Sequence, residues 1–162
     1  MVHEKASNRE RALLTRAGFQ LHISPSKSPK EARRKMQVNM EKLLKKILVD
    51  MLDHRLKKYS AISGFQFKVF RVKKMKTRWG SCSSLGNLNF NIALSLMPID
   101  VLDYIVVHEL CHIKEPNHSS RFWAEVKKIL PDYERRKSWL RENERDLLAF
   151  FFGEQGRALS RL

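Results

Sequence analysis

Residues 101–113 read Val-Leu-Asp-Tyr-Ile-Val-Val-His-Glu-Leu-Cys-His-Ile, apolar on almost every side of a helix. A helix that is hydrophobic all round is a buried one, so the rest of the fold has to wrap it. Yet it carries His108, Glu109 and His112. Burying them without partners would cost about 1–3 kcal/mol for each unsatisfied polar group. Residues i and i+4 share a helix face, so His108 and His112 can point at one cation. Glu109 stands about 100° further round, where a carboxylate reaches a water on that cation without ligating it. The H-E-x-x-H spacing therefore predicts a buried metal helix with Glu109 as general base.

Catalytic zinc takes three protein ligands and leaves one position open. His118 is the leading third ligand, because Pro116 ends the helix and Asn117 tolerates a left-handed turn that doubles the chain back. Glu125 and Glu134, on the helices that follow, are the alternatives, as in zinc enzymes with two His and one Glu.

Upstream, Ser28-Pro29-Lys30-Glu31 forms a capping box with proline at the first helical position. A long helix follows to about Tyr59, with Met36, Met40, Leu43, Ile47 and Met51 on an apolar stripe. Residues 65–97 read as strands. Ser83 to Asn87 is a turn, and Leu88, Phe90, Ile92 and Leu94 alternate along a strand expected at a sheet edge, where an extended peptide could add. Ser119 or Ser120 caps the next helix and Asp132 a last one, which Gly153 is expected to close. The order implies an α+β fold: a long N-terminal helix, a short antiparallel sheet, the buried metal helix, then C-terminal helices. Arg78, Trp79, Asn89 and Asn91 lie on the segments before the metal helix and are the candidate substrate-binding residues.

The formal net charge is +15, and residues 54–99 hold nine Lys or Arg and no Asp or Glu. Such a run, here residues 55–78, fits nucleic-acid contact, an acidic protein substrate or a solvated strand face. No apolar run approaches the roughly 20 residues that span a membrane. Two cysteines without a C-x-x-C pair give neither a disulfide framework nor a zinc ribbon, and the charged first ten residues lack a signal-peptide core. The expectation is a cytoplasmic protein that does not enter membranes.

Met75 to Ser84 (with Arg78-Trp79-Gly80-Ser81-Cys82), Pro98 to His112, Asn117-His118-Ser119-Ser120-Arg121-Phe122-Trp123 and Leu130 to Tyr133 together resemble the YgjP-like metallopeptidase family, within the SprT-like zincin group. The resemblance covers most of residues 33–145. It implies one zincin-like metallopeptidase domain over residues 30–162 behind a polar segment, residues 1–29. It implies one Zn2+ per chain on His108, His112 and His118, with Glu109 catalytic and a protein or peptide as substrate. The N-terminal region reads as shorter than in longer members, which carry additional strands before the long helix. Some SprT-like proteins digest proteins crosslinked to DNA, so a protease acting on DNA-bound proteins, or a nucleic-acid-associated protein with a structural or vestigial zinc site, is the alternative.

Overall fold

The computed structural model describes residues 11–15, 18–22 and 28–152. The chain divides into two compact units, 1–47 and 48–162, and the boundary falls inside a single helix. Gly153, expected to close the last helix, lies outside the described residues.

In the first unit, β1 (Arg11–Thr15) and β2 (Gly18–His22) form an antiparallel pair. Two strands thus precede the long helix, within a segment expected to be merely polar and short of strands. Their brevity explains the miss, since five residues flanked by charge carry little period-2 signal. Helix α1 (Pro29–Ser63) starts as its capping box requires, with the Glu31 N–H donating to Ser28 Oγ at 3.2 Å.

The second unit begins in α1, where Leu48, Leu52 and Leu56 recur every four residues and are fully buried. After Gly64, at φ 76°, come β3 (Val69–Lys73), β4 (Gly80–Cys82) and β5 (Asn87–Asn91). They form one sheet in the order β3-β5-β4. The sheet is mixed rather than antiparallel: β5 runs parallel to β3 and antiparallel to β4. It follows that β5 is the central strand and not an edge. The strand also stops early. Asn91 Oδ1 accepts from the Ala93 N–H at 3.2 Å and starts a 3₁₀ turn over Ile92–Leu96, although Ile92 and Leu94 continue the apolar alternation.

Helix α2 (Ile99–Cys111) is buried at every position from Val101 to Cys111, as its sequence demands. It packs against β4, α3 (Ser120–Ile129) and α4 (Tyr133–Phe152). The buried Asp103 on α2 accepts a hydrogen bond from Tyr59 OH at 2.9 Å and faces Arg55 Nε at 3.3 Å, fastening the C-terminal part of α1 to α2. From α4, Arg136 donates to the Asp100 carbonyl at 2.9 Å. No helix among the described residues is long and apolar enough to cross a membrane.

Candidate active site

The last turn of α2 delivers two of the three histidines. His108 is buried, and His112 stands at the C-cap with helical φ and ψ, so both keep the i, i+4 alignment. The chain then tightens: Ile113 N–H donates to Leu110 O at 3.1 Å and Glu115 N–H to Cys111 O at 2.9 Å. No described residue other than glycine has positive φ, so the reversal at Pro116-Asn117 is made without the left-handed Asn117 expected from sequence. A bond from Ser119 N–H to Asn117 O at 2.8 Å closes it, and Ser119 Oγ then caps α3.

This loop places the exposed His118 over the other two. His108 Nε2 stands 3.2 Å from His112 Nε2 and 3.0 Å from His118 Nε2. One nitrogen cannot share a proton with both neighbours. His112 Nδ1 lies 3.1 Å from the Glu115 carbonyl and donates there, which leaves its Nε2 as a lone pair. Burial, first, and mutual repulsion hold His108 well below the usual imidazole pKa; burial lowers His112 and His118 as well. Lowered pKa values favour the neutral imidazole at all three, and the Nε2 atoms of His112 and His118 both approach that of His108, which suits a divalent cation. Nitrogens about 2.0–2.1 Å from a tetrahedral zinc stand about 3.3 Å apart, close to the two separations here.

Glu109 is buried, and its Oε2 has no hydrogen-bond partner among the described residues. Burial pushes its carboxyl up to about 8, and the Arg78 guanidinium pulls it partly back. The carboxylate lies directly against Gly80: a Cβ there would fall 2.6 Å from Glu109 Cδ and 2.7 Å from Cγ. Gly80 is thus a site residue that reasoning from sequence passed over, although it stands inside the Arg78-Trp79-Gly80 motif. Phe122 is another. Its ring lies 4.8, 4.5 and 4.8 Å from those of His108, His112 and His118, forming an apolar wall behind all three.

The other expected site residues are placed as follows. Neither alternative ligand belongs to the histidine cluster: Glu125 accepts from Lys114 Nζ at 2.5 Å, and Glu134 from Tyr133 OH at 3.2 Å. Trp79 is fully buried among the core residues. Asn91 spends its amide on the carbonyls of Met75 and Arg78, at 2.6 and 2.9 Å, and so shapes the loop before β4. Asn89 donates to Ser81 Oγ at 3.1 Å across the sheet. Arg78 is exposed and acts electrostatically on Glu109. Part of the basic run 55–78 is engaged internally: Arg55 with Asp103, Lys57 with Asp53, and Lys74 over the Phe152 ring.

Two solved structures share this fold. One is the metallopeptidase zymogen of Pyrococcus abyssi abylysin, at 30% identity and a TM-score of 0.52, over 60% of this chain and 94% of that one. The other is the metallopeptidase zymogen of Methanocaldococcus jannaschii jannalysin, at 20% identity and a TM-score of 0.51, over 57% and 96%; at that identity it speaks for the fold alone. No curated protein matches the chain. The YgjP-like metallopeptidase domain matches residues 2–143, and with that span and this site the chain belongs to the YgjP-like metallopeptidase family.

Proposed function

We propose that this metallopeptidase is a zinc enzyme that hydrolyses peptide bonds, with His108, His112 and His118 as ligands and Glu109 as general base. The observation that carries the reading is the convergence of three imidazoles beside a buried carboxylate whose Oε2 has no partner among the described residues. A zinc ion held by these histidines would supply a Lewis acid, lowering the pKa of a water and polarising the scissile carbonyl. Glu109 takes the proton of the attacking water and passes it to the leaving amine. Its low-polarity pocket suits the second half of that task, because a carboxyl that readily keeps a proton is a competent acid. Arg78 favours the ionised form needed for the first half.

The substrate's backbone has a place on β4. With β5 central, the outer side of β4 faces no other strand among the described residues. Trp79 O accepts from Asn91 N–H at 2.8 Å, and Ser83 N–H donates to Asn87 O at 2.9 Å. Main-chain groups of residues 79, 81 and 83 therefore turn towards β5, and those of Gly80 and Cys82 turn outward. An extended peptide adds there by main-chain hydrogen bonds, beside Glu109.

The test is metal analysis and peptide hydrolysis of the wild type beside Glu109→Gln. The variant should keep about one zinc per chain and lose hydrolysis by several orders of magnitude. Equal activity in both would refute the role of Glu109. His118→Ala should lose zinc while Glu125→Ala keeps it; the reverse would move the third ligand.

A further inference from the structure

Lys137 lies half-buried on α4, its ammonium 4.1 Å from the centre of the Trp123 ring. That ring stands 5.8 Å from His118, nearly parallel at 24°, and 5.9 Å from His108. The Trp123 ring thus neighbours both a positive charge and the histidine cluster. Several neighbouring cations have counter-ions: Lys114 has Glu125, Arg55 has Asp103, and Arg135 and Arg136 have Asp132. Lys137 forms no such pair among the described residues. Glu134, one turn earlier, attracts the ammonium through space but forms no ion pair with it and accepts from Tyr133 OH, while Arg141, one turn later, adds charge of the same sign. The indole gives the ammonium a cation–π contact but no acceptor for its N–H groups. A partly desolvated ammonium in that position is completed by an anion.

We infer that Lys137 is a specificity-determining contact of the peptidase site. It receives a substrate carboxylate close to the scissile bond, from an acidic side chain or a free C-terminus. The assignment rests on the reading of the histidines and Glu109 as the catalytic centre. A net charge of +15 acts in the same direction, drawing acidic chains to the enzyme.

The test uses the full, zinc-loaded chain and matched fluorogenic peptides carrying Glu or Gln beside the cleaved bond, each with a free or an amidated C-terminus. Wild type should prefer the carboxylate-bearing member of one pair about tenfold in kcat/KM, mostly through KM. Lys137→Met keeps an unbranched stem over Trp123 and should bring that ratio to about 1, and Lys137→Arg should retain most of it. Each variant's neutral, amidated peptide is its own reference, so a folding defect cancels. The pair that responds identifies the source of the carboxylate. A ratio near 1 in wild type for every pair, or the same ratio in Lys137→Met, overturns the assignment.

A second measurement needs no turnover: fluorescence anisotropy of the labelled peptides with zinc-loaded Glu109→Gln, with and without Lys137→Met. If wild type cleaves nothing but this binding preference appears and depends on Lys137, the peptidase reading fails and the Lys137 contact stands. If the preference is absent, the contact fails whatever the activity.

Discussion

Gly80→Ala is the perturbation whose effect follows most directly from the geometry. The added Cβ would lie 2.6 Å from Glu109 Cδ, and ordinary contact begins at 3.4 Å, so something must yield by 3.4 − 2.6 = 0.8 Å. Strand β4 is the less able to move, because its neighbours Trp79 and Ser83 are tied to β5 on either side. The carboxylate of Glu109 therefore takes most of the shift. Misplacing a catalytic group by about 1 Å costs on the order of 100-fold in rate. The three atoms nearest the added Cβ all belong to the Glu109 side chain, so the clash falls first on the carboxylate and zinc content should stay at that of the wild type. Overpacking should remove about 1–3 kcal/mol of stability. In practice kcat falls about 100-fold, KM and zinc stoichiometry hold, and Tm drops by about 2–4 °C per kcal/mol lost. Gly86→Ala is the control: it is strained by φ 73° but meets no atom closer than 3.8 Å, so it loses stability and keeps kcat. Gly80→Ala activity within about threefold of wild type, or loss of zinc in place of kcat, would refute the argument.

The metal-free protein should be most stable near neutrality. The histidine pKa values are depressed on folding, so the unfolded chain binds more protons below about 6.5 and stability falls as pH drops through that value. Glu109 acts oppositely: the folded state keeps its proton up to about 8 whereas the unfolded chain releases it near 4.5, so stability falls as pH rises between those values. Chelator-treated wild type should thus melt lower at pH 5 and pH 8.5 than near pH 7, at about 1.36 kcal/mol per pH unit per proton, and Glu109→Gln should lose the alkaline arm and steepen the acid one; a Glu109→Gln profile identical to wild type would contradict this. Tyr59→Phe removes the hydroxyl that donates to buried Asp103, and burial first and then this bond raise the Tyr59 pKa to about 12. The loss should cost about 1.5–3 kcal/mol in urea denaturation with zinc binding unchanged; a cost below about 0.5 kcal/mol would mean that Arg55 alone satisfies Asp103.

Features set by local chemistry were legible in the sequence. The capping box at Ser28, the buried helix, the i, i+4 histidines and the Ser119 cap each depend on residues within a few positions of one another. His118 was legible for the same reason, since Pro116 limits where the helix stops. The sheet was less so. Alternation in Leu88 and Phe90 identifies a strand but not its neighbours, and the parallel pairing with β3 joins residues 18 apart, Val69 with Asn87. The short N-terminal strands and the premature end of β5 at Asn91 were hidden similarly, because one side-chain hydrogen bond there outweighs an apolar pattern that would otherwise extend the strand.

The same division runs through the site. Helical spacing alone assembles the two α2 imidazoles, so H-E-x-x-H is readable as a ligand pair in any chain that folds it as a helix. The carboxylate between them is different. Its confinement comes from Gly80 on another element, its charge balance from Arg78, and the apolar wall behind the histidines from Phe122 on α3. A helix with intact histidines could thus hold a metal while its glutamate was mispositioned. Binding and turnover should therefore be separable by a single methyl group at Gly80, because in this chain the space that Glu109 occupies is kept by the bare backbone of β4 and not by a side chain.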